Sequence, residues 1–335
     1  MRISVFVLTT VLLLRFASAQ TACPTFTAVS PIEIPRISQS DRIFRFDGGF
    51  VAVIHDMAVD TDGSAYAYHP HDLGTSYLCD GLDPYDETTH KCDSDKTSGS
   101  RCFTEVSEAI HADWAPSRSG PFCTYGFEAP GLSAKGTSNK VWGKDFGTGP
   151  IPVQSATDPA PGFFISTTGL SDPNHPEKSQ RHYIAADTIP YVVVPSRLVG
   201  SGKDFSWHPT PAWAWNLKTG YESPAIVGDT QRHFGEGSVA LVQILQENAI
   251  TPITVGQVLG TSITALPFPY VKKKSGAVRA VSGATGTVIF VYFTKTPAVR
   301  DLSTQGLTQA VGTAFRPLGG EPFFKDCLKP LSGAH

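Results

Sequence analysis

Short apolar runs broken by Gly, Pro and Asp recur along the chain. Residues 42–46, 50–59, 162–168, 191–195, 212–217, 223–227 and 287–294 are rich in Val, Ile, Phe, Tyr and Thr and are bounded by turn formers. That pattern predicts strands. Asn216-Leu217-Lys218-Thr219-Gly220 predicts a hairpin loop between two of them. Two stretches follow a helical period instead. Residues 237–248 are nearly all apolar on one side, with Ser238 available as a cap. Residues 301–315 place Leu307, Val311 and Phe315 on one face and end near Gly319-Gly320. Residues 20–41, rich in Pro, Ser and Thr, read as an extended lead-in. Together these elements predict a β-rich α+β fold: a barrel-like or strongly twisted β core with a few helices and long disulfide-pinned loops.

Composition narrows this further. Gly and Pro (31 and 26) are as numerous together as the charged residues (27 and 30). So much punctuation and so little charge argue against a helical bundle or coiled coil. A hydrophobic share of 41% argues against disorder. No internal repeat or low-complexity linker is visible, so a single domain over 20–335 is expected, with a Cys-rich insertion at about 79–125.

The first residues stand apart from that domain. Arg2, the apolar run 3–14 and Ala17-Ser18-Ala19 form the pattern of a secretory signal peptide over 1–19. The run is too short to span a bilayer. A secreted, extracellular protein without membrane association is therefore expected. Without Arg2 and Arg15 the chain has 25 basic and 30 acidic residues, which argues against a nucleic-acid partner and allows a cationic ligand. Lys272-Lys273-Lys274 reads as a solvated loop. Six cysteines, Cys23, Cys79, Cys92, Cys102, Cys123 and Cys327, suggest disulfides in about 15 possible pairings. Four lie in a polar stretch without hydrophobic periodicity, where crosslinks can stand in for a core.

In a chain with few acids, clusters of them are the place to look for chemistry. Asp60-Thr61-Asp62-Gly63-Ser64 follows an apolar strand; an EF-hand register puts Ala65 where glycine is required, so a calcium loop is not expected. Asp187 precedes the apolar run 191–195. Asp229 ends a strand, and Glu236 stands seven residues later at the mouth of an apolar helix. Two carboxylates flanking one loop can serve as acid and base in glycoside hydrolysis. A helix N-terminus, however, lowers a carboxyl pKa, whereas a general acid needs it raised.

Other chemistries lack their signatures. The histidines, His69-Pro70-His71 included, form no metal spacing, and neither G-x-S-x-G nor a strand-borne G-x-G-x-x-G occurs. No cofactor and no metal are expected. Trp207, Trp213 and Trp215 fit either a sugar-stacking platform or a core.

Taken in order, four segments carry a family likeness. They are Asp60-Thr61-Asp62-Gly63-Ser64 with Ala67-Tyr68-His69-Pro70 and Gly81-Leu82-Asp83; the run 158–168; the run 187–195; and Gly228-Asp229-Thr230 with Gly235-Glu236-Gly237-Ser238. The chain resembles glycoside hydrolase family 75, the endo-chitosanases, over roughly residues 50–320. The resemblance implies an endo-acting, inverting hydrolase of β-1,4-linked glucosamine polymers, and a monomer is expected. It makes Asp229 and Glu236 the catalytic pair and has Asp60, Asp62 and, more weakly, Asp187 binding chitosan or a related polysaccharide. An inverting pair stands about 6.5–9.5 Å apart. The interval from Asp229 to Glu236 is shorter than the family's and holds Arg232 and His233; residues 79–125 lie outside the family core. A non-catalytic carbohydrate-binding protein on the same scaffold and a hydrolase of another polysaccharide are the alternatives.

Overall fold

The computed structural model describes residues 22–33, 40–97, 99–137, 139–146, 151–195, 209–231 and 233–333. The expected signal sequence, Trp207 and Arg232 lie outside the described residues.

In chain order the strands are β1 (Thr27–Ala28), β2 (Arg42–Phe46), β3 (Gly49–Asp60), β4 (Leu82–Asp86), β5 (Lys91–Cys92), β6 (Phe122–Thr124), β7 (Leu132–Ser133) and β8 (Lys140–Trp142). Then follow β9 (Tyr191–Pro195), β10 (Pro211–Asn216), β11 (Glu222–Gln231), β12 (Glu236–Ser238), β13 (Tyr270–Lys272), β14 (Val278–Ala280) and β15 (Ala284–Tyr292). Six of them close a barrel in the order β3-β12-β9-β11-β10-β15, with β15 pairing back onto β3. The expected barrel-like core is therefore present. Its length lets β3 serve three partners: β2 and β15 flank its first part, and β12 runs parallel to its last residues. The hairpin joining β10 and β11 turns at the expected loop, where Gly220 N–H donates to the Asn216 carbonyl.

Strand alternation sorts the side chains into two layers. Ile54, Val192, Val227, Ala214 and Phe290 come from five different strands and meet in one core, so they fill the barrel. The helix Val239–Glu247 closes that core with Leu241, Val242 and Leu245. Its N-cap is Ser238, whose hydroxyl accepts from Leu241 N–H, as expected. The opposite face carries Val51, Val53, Trp213 and Ile289, covered by Val311 and Phe315 of the helix Thr304–Phe315 and by Phe324 and Leu328 of the helix Glu321–Ser332. Trp213 is therefore core. Trp215 is half-buried beside it, with the Lys325 ammonium over its ring, and neither indole lines the acidic cleft described below.

A second sheet, in the order β5-β4-β6-β8-β7, builds a lobe beside the barrel. The sequence suggests a polar stretch that crosslinks must hold. Instead the lobe has its own apolar core, in which Trp114, Phe122, Phe127, Trp142 and Phe164 pack around Cys79 and Cys102. One side of the helix Arg101–His111 supplies Cys102, Val106 and Ala109. This helix escapes the sequence reading although Cys102, Phe103, Val106, Ala109 and Ile110 repeat at a helical period, a signal interrupted by the charged and polar residues between them. Disulfides join Cys79 to Cys102, Cys92 to Cys123 and Cys23 to Cys327. The last ties the lead-in to the final helix.

The run 162–168 is no strand. It makes only isolated bridges, Val153 with Phe164 and Phe127 with Ser166. Two buried glutamine side chains take the place of a neighbouring strand. Gln154 Nε2 donates to the carbonyls of Ala65 (2.7 Å) and Phe164 (3.3 Å). Gln180 accepts from Ser166 N–H (2.8 Å) and donates to the carbonyls of Ser166 and Gly63, both at 3.0 Å. Buried backbone polar groups must be satisfied, and here side chains satisfy them.

Candidate functional site: an acidic cleft between barrel and lobe

The acidic residues reach one place through the barrel's register. β3 ends at Asp60 and turns sharply: Asp60 Oδ1 accepts from Asp62 N–H (2.9 Å), and Ser64 N–H donates to the Thr61 carbonyl (2.9 Å). Gly63 holds the turn at φ +81°, where an added Cβ would lie 2.0 Å from the Ile184 carbonyl oxygen. Only glycine suits that position. β12 lies parallel beside β3 with Glu236 opposite Ala58 and Ser238 opposite Asp60, so Glu236 and Asp60 are diagonal neighbours on one face.

A bulge brings Asp229 to the same face. Val227 pairs with Val192 while Asp229 pairs with Val193, leaving Gly228 as the extra residue. Val227 therefore points into the barrel and Asp229 points out. An added Cβ on Gly228 would meet the Tyr191 ring at 2.6 Å. Asp229 Oδ1 accepts from the N–H groups of Gly169 (2.8 Å) and Thr230 (2.6 Å). Two tyrosines fix the acidic turn: Tyr68 donates to Asp62 Oδ1 and Tyr191 to the Asp62 carbonyl, both at 2.6 Å.

Asp60, Asp62, Asp229 and Glu236 thus line one side of a cavity of about 550 Å³. The lobe lines the other side with Tyr68, Ser76, Asp80, Lys96 and Tyr125. All four barrel carboxyls are half-buried, so they are partly desolvated yet reachable. Burial raises each of their pKa values first, and mutual repulsion adds to it for three of the four. Asp60 is pushed up to about 6 by burial, opposed by the hydrogen bond from Asp62 N–H. Glu236 is pushed up to about 7 by burial and then by the charge of Asp60. Asp62 and Asp229 are held well above the usual range by burial and then by Asp60. Such a cluster titrates above the ordinary carboxyl range, and Glu236 can donate a proton near neutrality.

The helix-end objection to Glu236 falls away. It sits on β12, three residues before the helix Val239–Glu247, and burial dominates its titration. Asp187 lies elsewhere. It is buried, accepts from the Tyr270 hydroxyl (2.7 Å), and lines a different, largely apolar pocket with Tyr66, Ile189 and Ile253. His69 is packed edge-on against Phe163, and burial lowers its pKa to about 4, in keeping with a structural role. Asp60, Asp62 and Asp229 each bring an oxygen within 4.8 Å of the others. Carboxylate oxygens at such spacing can accept a hard divalent cation, although each residue also accepts a hydrogen bond within the protein.

No family model matches the chain. No curated protein matches it either.

Several cleft residues escape sequence reading. Tyr68 and Tyr191 look like ordinary core aromatics, since nothing in their spacing reveals where their hydroxyls end. Asp80, Lys96 and Tyr125 belong to the lobe, whose contact with the barrel depends on long-range packing. Among the described residues no helix is long and apolar enough to cross a membrane.

Proposed function

We propose that the protein is a secreted, endo-acting, inverting glycoside hydrolase that cleaves β-1,4 bonds of chitosan. The observation that carries this reading is the convergence of Asp229 and Glu236, from different barrel strands, in one open cleft where burial lifts the carboxyl pKa values above their ordinary range. Glu236, pushed up to about 7, suits the acid that protonates the departing glycosidic oxygen. Asp229 then takes a proton from the water that attacks the anomeric carbon on the opposite face, and the configuration inverts. Its two backbone N–H donors favour the ionised form. An amino sugar beside Asp60 would offset the charge that opposes this ionisation, so a cationic substrate assists the base. Asp60 and Asp62 bind that substrate and hold the field that attracts it. Three disulfides agree with an oxidising, extracellular setting.

The test is release of reducing ends from chitosan, with chitin, cellulose and xylan as comparisons. The reading expects release from chitosan and little from the neutral polymers. Release from another polymer alone would move the substrate; release from none would remove the enzymatic reading and leave carbohydrate binding.

A further inference from the structure

The lobe faces the barrel's acids with a carboxylate of its own. Asp80 lies on the short helix Leu78–Gly81, lines the same cavity as Asp229 and Glu236, and is exposed to it. Its charge reaches across far enough to help raise the pKa of Glu236. The two hydrogen bonds it accepts, from Ser76 Oγ and Tyr77 N–H, both at 3.2 Å, end on Oδ2. Among the described residues Oδ1 takes none.

The other charged groups around it are already engaged. Lys96 donates to the carbonyls of Cys79 and Leu82, to the Asp83 carboxylate and to the Tyr125 hydroxyl (3.0 Å). Arg279 pairs with Asp72 at 3.0 Å, donates to the Gly74 and Asp72 carbonyls, and stacks on Tyr77 at 4.4 Å. These contacts clamp the segment that bears Asp80 on both sides; burial raises the Asp80 pKa, and its two hydrogen bonds and the charges of Lys96 and Arg279 work against that rise and favour its carboxylate. The disulfide from the adjacent Cys79 to Cys102 anchors the same segment to the helix Arg101–His111. A rigid support with one carboxylate oxygen left over, on the wall opposite the reacting carboxyls, is a preorganised donor-recognition point.

We infer that Asp80 is a specificity-determining residue: its free oxygen accepts a charge-assisted hydrogen bond from the protonated 2-amino group of a glucosamine unit bound in the cleft. This rests on the proposed function for the identity of the sugar, but binding tests it independently of turnover. An N-acetylated unit presents a neutral amide there and gains little from the carboxylate. The lobe, rather than the barrel, would then set preference for deacetylated polymer.

The experiment measures binding of glucosamine hexamer and N-acetylglucosamine hexamer by calorimetry at mildly acidic pH, for the full chain, Asp80→Asn and Asp80→Glu, each carrying Glu236→Gln so that the ligand is not consumed. Asp80→Asn should weaken glucosamine hexamer binding about tenfold, the scale of one hydrogen bond to a charged group, and leave the acetylated hexamer unchanged. Asp80→Glu should restore most of the loss. Equal loss for both hexamers, or no loss for either, overturns the inference, as does a parent protein that fails to bind glucosamine hexamer. A parent that cleaves chitosan with Asp80→Asn binding unchanged overturns the role of Asp80 and keeps the hydrolase. A parent that shows the Asp80-dependent preference but cleaves nothing does the reverse.

Discussion

The barrel and the lobe hold acidic residues in different company. On the lobe, Asp83 pairs with Lys96 and Asp72 with Arg279, both acids behind the cleft surface, while Asp80 faces the cleft without an ion pair among the described residues. On the barrel, Asp60, Asp62, Asp229 and Glu236 take part in no ion pair among the described residues and have one another as neighbours. The same side chain is thus a structural tie on one wall and a proton carrier on the other. What separates the roles is the partner: the lobe pairs each bind a cation that ties the chain together, whereas burial among like charges favours the protonated form of the barrel acids. Asp187 shows a third outcome, a buried acid that accepts from a tyrosine hydroxyl and lies outside the acidic cleft.

The largest expected effect comes from the barrel wall. Asp229→Asn and Glu236→Gln should each lower chitosan hydrolysis by about 10²–10⁴-fold, the scale of general acid–base catalysis, while circular dichroism shows both still folded. Folded variants as active as the parent would end the contrast between the walls. Next comes the lobe's anchor. The paired substitution Cys79→Ser with Cys102→Ser should cost about 2–4 kcal/mol in denaturant unfolding, and hydrolysis should decline with the loosened wall. A fully stable variant would show that Lys96, Arg279 and the aromatic core hold the lobe alone.

Asp187→Ala should lower stability by about 1–3 kcal/mol through the orphaned Tyr270 hydroxyl, with the rate of hydrolysis at saturating chitosan unchanged. A collapse of that rate in a stable protein would return Asp187 to the site. The smallest effect is one of pH. Asp60 and Glu236 rise from 3.8 and 4.5 to about 6 and about 7 on folding. Between those limits the folded protein keeps protons that the unfolded chain has released, so stability falls as pH rises through the window and levels off above it. The melting temperature should drop by several degrees between pH 5 and 7.5 on this account. The double variant Asp60→Asn with Glu236→Gln should show a shallower slope, with Asp62 and Asp229 carrying the remainder; an identical slope in both proteins would mean other groups set it.

Local chemistry made much of this legible in the sequence. Alternating apolar runs gave β2 and β9 at their observed bounds, and the Ser238 cap announced the helix that closes the barrel. The scarcity of acids led to Asp60, Asp62, Asp229 and Glu236, and all four share the cleft. What stayed hidden depends on distant partners. Gln154 and Gln180 stand in for a strand across residues 162–168, which no period can show. The Gly228 bulge reverses the side-chain alternation, so a regular strand would have buried Asp229 inside the barrel. The lobe's core is built from aromatics scattered between 68 and 164, a spacing with no periodic signal.

The most direct test of the central claim is the anomeric configuration of the first product, followed by proton NMR during cleavage of a glucosamine hexamer. The account predicts new reducing ends that appear first as the α-anomer, because water attacks opposite the departing β-linked sugar with Asp229 as base and Glu236 as acid. Initial release of the β-anomer would show a retaining mechanism, and no release at all would show that the cleft does not hydrolyse this polymer. Either result would contradict it.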